Sequence, residues 1–410
     1  MDIPRVVVTG MGTVNPIGLN VGEFWEGLVA GKSGVDLITR FDTSNFRVKV
    51  SAEVKNFDPA EYMDLKTVDR NARTAHLAIA AAKEAIQSAG LDMNQEHPER
   101  VGVCMSGQLD AGYKDQQLEV IEKRGPRRID PLLVAKSSPS GAAMQTGMLL
   151  GAKGPNTSVN SLCASGADAI GNALNFIRLG YADVMVAGGA DATVSSVSVA
   201  GIDILGALSR EPDPAKACRP FDLNRSGFIY GEGAGLVVLE TYEHAIKRGV
   251  PILAEVAGAA WSFDAYDQTA PAPETEAYAM STAIKNAGLK LEDVDYINAH
   301  GTSTRLNDAN ETRAIKMVFG EYAYKIPVSS TKSMIGHTIT AAGGIEVIAS
   351  ILMINKGIIH PTIHYETPDP ECDLDYVPNV ARQVQVNVCL KNGFGLGGEN
   401  CCLVLKKFTG

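Results

Sequence analysis

Paired cysteines are missing from this chain. Seven cysteines stand at positions 104, 163, 218, 372, 389, 401 and 402, without the short double spacings that a zinc site or a small disulfide framework needs. No metal site is therefore expected, and a reducing cytoplasm is the natural compartment. Positive charge is also in short supply, with 37 Lys and Arg against 47 Asp and Glu and a net charge of −10. That balance argues against a general binder of nucleic acid or anionic membrane and leaves room only for local basic patches. No uninterrupted apolar run reaches the roughly 20 residues of a membrane-spanning helix. The opening MDIPRVVVTGMG has no basic stretch followed by an apolar core and a small-residue cleavage site. The expectation is a soluble, cytoplasmic protein with no membrane or nucleic-acid partner.

What is present points to a layered α/β enzyme. Hydrophobic residues make up 45% of the 410 positions and 41 are glycine, enough for one or two sizeable cores and many tight turns. Short β-branched runs near residues 5, 182 and 293 alternate with alanine-rich helical stretches such as Thr74–Gly90. Strand, helix, strand is the pattern of sheets covered on both faces. A new β-rich start at Pro251–Trp261 follows the helix-like segment ending in Lys247, Arg248 and Gly249. The chain is therefore expected to form two similar halves, 1–250 and 251–410. No low-complexity linker separates them, so they should pack intimately.

In NTSVNSLCASGADAIGNALNFIRLG, Cys163 falls between a polar, β-branched run and a helical pattern with apolar Ile170, Leu174 and Ile177. On residue type alone, a buried structural cysteine is the commoner case. The strand-to-helix junction reverses that weighting, because free N–H groups and the helix dipole favour a thiolate there. Ala164, Ser165 and Gly166 are small enough to admit a thioester. The Cys163 N–H is placed to bind the thioester oxygen as charge develops on it.

Two histidines stand in similar glycine-bearing turns: His300 in NAHGTSTRLND, and His337 in STKSMIGHTITAAGG before a second alanine-rich helix. Either alone would more often be structural. Together with the cysteine they form a candidate catalytic set. Two imidazole N–H donors aimed at one oxygen would stabilise the enolate left by decarboxylation of a malonyl thioester, without a metal. Lys332 and Glu346 are spaced so that an internal ion pair could hold this region; if buried, they must be paired. Asp308 and Glu311 either join that network or simply begin a helix.

The combination of NSLCASGA, RPFDLNRSGFIYGEGAG, NAHGTSTRLND, STKSMIGHTITAAGG and NGFGLGGEN resembles the β-ketoacyl-acyl carrier protein synthases, over essentially the whole chain. The match in spelling is nearest to the type II elongating synthases. The resemblance implies a thiolase fold of two α/β halves in five αβαβα layers. It also implies a homodimer, no cofactor, and decarboxylative condensation of an acyl group on Cys163 with malonyl-acyl carrier protein. By residue, it implies catalytic His300, His337 and Lys332 with Glu346 in support, and Thr302 and Thr304 on the phosphopantetheine arm. Leu396 would add a second backbone donor to the oxyanion hole. It further implies a basic carrier-protein patch at Lys66, Arg70, Arg127, Arg128 and Arg210.

Departures from the family pattern bear on specificity. The gate reads Phe394, Gly395, Leu396, with Glu399 in place of the usual threonine or histidine after the double glycine. Gln108 stands where elongating synthases place an apolar residue against the acyl chain, and a buried amide is costly unless partnered. Such polarity suits the rival reading, the catalytic subunit of a dissociated polyketide or polyene system paired with a chain-length subunit.

Overall fold

In the computed structural model, which describes residues 3–410, ten strands carry the fold. They are β1 (Val6–Val14), β2 (Val101–Ser106), β3 (Asn156–Val159), β4 (Val184–Asp191), β5 (Gly233–Thr241), β6 (Ala254–Phe263), β7 (Tyr296–Asn298), β8 (Val328–Ser329), β9 (Val388–Phe394) and β10 (Glu399–Lys406). Their order across the sheet is β8-β7-β9-β10-β6-β1-β5-β4-β2-β3. Split between β6 and β1, the two sets have one topology. In the first, β2 runs parallel to β3 and β4, while β5 and β1 are antiparallel to their neighbours. In the second, β7 runs parallel to β8 and β9, while β10 and β6 are antiparallel. The sets meet where β1 and β6 pair, Val7 with Glu255 and Val8 with Ala254.

Six helices complete the layers: α1 (Arg73–Ser88), α2 (Gly141–Leu150), α3 (Ser165–Arg178), α4 (Pro273–Asn286), α5 (Arg305–Phe319) and α6 (Ala342–Lys356). α1 and α2 pack on strands of the first set, and α4 packs on strands of the second and against α5. α3 touches β2 and β4 of the first set and β6 and β10 of the second; α6 touches β4 and β5, then β9 and β10. These two helices form the middle layer of a five-layered thiolase fold. With a sheet on either side, every α6 residue from Ala342 to Ile354 is buried. The stretch Ile339–Lys356 is apolar and long enough to cross a membrane by composition, yet 89% of it is buried inside the protein. It is a core helix.

Side chains would hold α3 and α6 apart, so their crossing is built from glycine. A Cβ on Gly166 would lie 2.8 Å from the Gly344 nitrogen and 2.9 Å from that of Gly343. A Cβ on Gly343 would lie 2.1 Å from the Ala167 nitrogen, and one on Gly344 2.0 Å from the Gly235 carbonyl oxygen. Backbone against backbone cannot yield as a side chain does. Gly343→Ala is therefore expected to lower stability by about 2 kcal/mol, measured by denaturant unfolding, with a loss of activity larger than the loss of folded protein. A variant of wild-type stability would contradict this packing.

Candidate active site

Cys163 stands in a short 3-10 turn, Leu162–Ala164, between β3 and α3. Leu162 adopts φ 49, in the left-handed region that side chains disfavour. The turn is held by Ser165, whose hydroxyl accepts from the Ser161 N–H at 2.8 Å and donates to the Leu162 carbonyl at 2.6 Å. Of the seven cysteines only Cys163 is partly exposed. The thiolate preference expected from the helix start is overridden by burial, which raises the thiol above its ordinary value. Hydrogen bonds from the N–H groups of Leu396 and of Cys163 itself, and the charge of Lys332, pull the other way.

His300 lies two residues past β7, and His337 follows Gly336, whose φ is 65. The two rings are 5.5 Å apart, almost perpendicular, and the nearest ring nitrogens and the Cys163 sulfur lie within 4.8 Å of one another. The tautomers follow from the partners. The Ile339 N–H donates to His337 Nδ1 at 3.1 Å, so the ring proton of a neutral His337 sits on Nε2. Ile339 reaches that position at φ 43, unusual for a β-branched residue. His300 Nδ1 faces the Lys332 ammonium at 3.5 Å, which likewise leaves its proton on Nε2. Burial, then Lys332, hold both rings well below the ordinary histidine value; Lys391 adds to both and His337 adds to His300. His337 Nε2 is buried without a hydrogen-bond partner. A pair of neutral imidazoles thus presents Nε2–H groups toward the sulfur.

Support comes from buried charge. Lys332 is 1% exposed and paired with Glu346. Glu311 accepts from the N–H groups of His300 and Gly301, both at 2.8 Å, and from Asn392 Nδ2 at 2.9 Å. Asp308 accepts from the Phe221 N–H at 2.8 Å and the Ser303 N–H at 3.2 Å, with Arg225 3.6 Å away. Burial raises both carboxyls above their ordinary values despite these bonds. Sequence reasoning missed Lys391 and Asn392, which sit inside the otherwise apolar β9. In the sequence VCLKNGF shows only a lysine in an apolar run, which does not say what that lysine meets; its burial is visible only in the fold.

Comparison with known proteins bears on this geometry. Residues 4–245 match the family model for the β-ketoacyl synthase N-terminal domain, and residues 253–366 that for its C-terminal domain. The chain belongs to the β-ketoacyl synthase family. It is 45% identical to 3-oxoacyl-[acyl-carrier-protein] synthase 2 of Synechocystis sp. over 414 aligned positions, covering 100% of this chain and 99% of the relative. The same identity holds for the enzyme of that name from Staphylococcus aureus over 408 positions, 98% of each. Among solved structures, the ishigamide ketosynthase/chain length factor superposes with a TM-score of 0.94 at 36% identity, covering 100% of both chains. A type II polyketide ketosynthase solved with its acyl-carrier protein and bound to the hexaketide gives 0.92, at 36% identity over 100% of both chains.

In this synthase a cavity of about 360 Å³ opens onto the cysteine, and Cys163, His300, His337, Thr302, Thr304 and Phe394 to Gly398 are among its lining residues. Thr302 and Thr304 share a hydroxyl contact of 2.9 Å. Phe394 packs its ring against His300, and Phe228 packs against His337. Gln108 is not brought to this cavity. It lies half-buried with its Oε1 unpartnered, next to Gly107, which packs against the Pro139 carbonyl and accepts from Asn160 Nδ2 at 3.2 Å. Glu399 opens β10 with an exposed side chain, and its carbonyl accepts from the Gly395 N–H at 2.7 Å. Lys66, Arg70, Arg127 and Arg128 are exposed and, among the described residues, form no ion pair. Lys136 ties the Asp69 carbonyl, beside Arg70, to Asp130, beside Arg127 and Arg128, and so draws the two pairs together. Arg210 differs, since Asp203 holds it at 2.7 Å and Arg47 at 2.8 Å.

The depressed histidine values carry a pH sign. An unfolded chain takes up protons on histidine below about pH 6.5, whereas these rings do not, so they lower stability progressively as pH falls below that value and are without effect above it. In ¹⁵N-histidine spectra of the folded protein, His300 and His337 are expected to remain neutral Nε2–H tautomers from about pH 8 to 5.5. A ring titrating near the ordinary value would refute the assignment.

Proposed function

We propose that this protein is an elongating β-ketoacyl-acyl carrier protein synthase, an acyltransferase that joins an acyl group held on Cys163 to malonyl-acyl carrier protein. The observation that carries the reading is the pair of neutral Nε2–H donors beside one accessible sulfur. In the first half-reaction the Cys163 sulfur attacks the acyl thioester while the Cys163 and Leu396 N–H groups receive the oxyanion. The C–S bond to the phosphopantetheine arm breaks, and the thiol proton leaves on its sulfur. In the second, the malonyl carboxylate departs as carbon dioxide and His300 and His337 hold the enolate oxygen. Its carbon attacks the acyl-Cys163 carbonyl, the same oxyanion hole receives the charge, and the sulfur is expelled and reprotonated from water. Both half-reactions use protein groups alone, without metal or cofactor.

Lys332 and Glu346 orient the histidines, Asp308 and Glu311 hold the loop between His300 and α5, and Thr302 and Thr304 contact the arm. Phe394 and Leu396 form the gate, while Gln108, outside the described cavity, meets the acyl chain only if the acyl channel extends past that cavity. An acidic carrier protein docks on Lys66, Arg70, Arg127 and Arg128, a local basic patch on an acidic enzyme. Arg210 takes part only by leaving Asp203. The repeated strand order supports two thiolase-like halves, 1–250 and 251–410. The unpaired edge of β3, with exposed Met148 and Leu149 on the adjoining α2, supports a dimer through that edge. Seven unpaired thiols support a cytoplasmic enzyme.

A second reading is favoured by the polyketide ketosynthases among its structural relatives and by Gln108: the catalytic subunit of a type II polyketide or polyene synthase, dimerised with a chain-length subunit. Mass spectrometry of the protein mixed with different acyl-carrier proteins separates the two. Labelling of Cys163 by saturated medium chains supports fatty acid elongation, and labelling only by unsaturated or oxygenated chains supports the polyketide reading. Cys163→Ala is expected to abolish acyl transfer. His300→Ala and His337→Ala should each slow malonyl decarboxylation by about 10²-fold or more, the cost of losing one oxyanion donor. Near-normal turnover in either would exclude that role.

A further inference from the structure

Glu346 has a second buried cation. Lys391, on β9, is fully buried, and its Nζ lies 3.0 Å from Glu346 Oε2 in an ion pair that lacks the angles of a hydrogen bond. Lys332 occupies the other carboxylate oxygen. The Lys391 amine has no other polar partner. It stands directly beneath the nucleophile turn: a Cβ built on Gly393 would be 3.0 Å from Lys391 Nζ and 3.5 Å from the Ala164 Cα. Around it are Glu346 from α6, Lys332, His300, His337, and the thiols Cys389, Cys401 and Cys402, with Glu276 and Glu311 beyond Cys402. Burying an amine with so little compensation is costly for structure alone, since a single Lys332–Glu346 pair would already be neutral.

We infer that Lys391 is a positioning residue for the histidine pair: sharing Glu346 with Lys332, it leaves one positive charge in excess beneath Cys163, His300 and His337. That charge keeps the imidazoles in the neutral form whose Nδ1 atoms accept from Ile339 and Lys332 and whose Nε2–H groups face the substrate. It also favours the two anions of the cycle, the thiolate and the enolate. The inference rests on the ketosynthase reading above. A lysine at this depth acts through space on both rings at once, and interactions between charges a few ångströms apart are strong in such a site.

The test is the pH dependence of malonyl-acyl carrier protein decarboxylation, together with ¹⁵N-histidine titration. In Lys391→Met the acid limb of the profile and the histidine titrations should rise by about one pH unit or more, so the loss is greater at pH 6 than at pH 8. Lys391→Arg, which keeps the charge, should hold the limb nearer its wild-type position. In Lys391→Met/Glu346→Gln, Lys332 alone restores the excess charge and the limb should return. This double variant also serves if the single one does not fold. A folded Lys391→Met with a wild-type limb, or a double variant whose limb stays displaced, overturns the inference. Wild-type protein that decarboxylates at no pH would remove the ketosynthase reading, while the histidine titrations would still judge Lys391.

Discussion

The contact between α3 and α6 is the constraint on which the site depends. Gly166 meets Gly343 and Gly344 with no side chain between them, and α6 is seated on the first sheet by the same means at Gly189 and Gly235. Close approach of backbones lets the N-terminal ends of both helices converge. Cys163 lies just before one end and His337 a few residues before the other, so the thiol and one imidazole meet because the helices do. His300 arrives from β7, alongside. Left-handed residues at Leu162, Gly301, Ser303, Gly336 and Ile339 cluster around these side chains. Strained backbone persists where the surroundings over-determine it, and here the surroundings are a packed central layer.

Electrostatics then sets what the groups can do. Burial alone would leave a thiol reluctant to ionise and two imidazoles uncharged. The histidines suit that environment, because a neutral ring with Nδ1 occupied is a fixed N–H donor. The sulfur is helped by oriented N–H groups and by the Lys332 cation paired with Glu346. Glu311 contributes differently: it binds backbone amides of the His300 turn and Asn392, tying β9 to the loop that carries the histidine. In a low-dielectric interior each unmade bond would cost more than in water, so such a network also specifies one arrangement.

The matching strand order of the two sets also relates the residues of the site. Cys163 follows β3, the third strand of its half, and leads into α3; His337 follows β8, the third strand of the other, and leads into α6. Cys163 and His337 therefore occupy corresponding places in the two strand sets. His300 stands two residues past the end of β7, and Gln108 stands two past the end of β2, so the second histidine's counterpart is the amide that sequence reasoning singled out. One half supplies the sulfur and the other the two imidazoles.

Much of this was legible in the order of residues. Alternation of apolar runs with alanine-rich segments is a local pattern, and β1, β4, β6, β7 and α1 lie where it puts them. The motifs around Cys163, His300 and His337 are local as well, and residue type with glycine-bearing turns was enough to single them out. Cys401 and Cys402 similarly fall in β10, buried as an apolar strand requires. Lys391 was not legible, because one lysine in an apolar strand has no meaning until the fold shows which face and which carboxylate it meets. Nor was the ionisation of Cys163, where burial outweighs a helix start that the sequence displays. Gln108 lies outside the described cavity, a placement that depends on how the loop after β2 packs and not on its local sequence. Sequence by itself determined most of the elements and singled out the candidate cysteine and histidines, since each is written in short-range pattern. Only tertiary structure decided tautomers, charge balance and access, because these depend on residues hundreds of positions apart brought within a few ångströms.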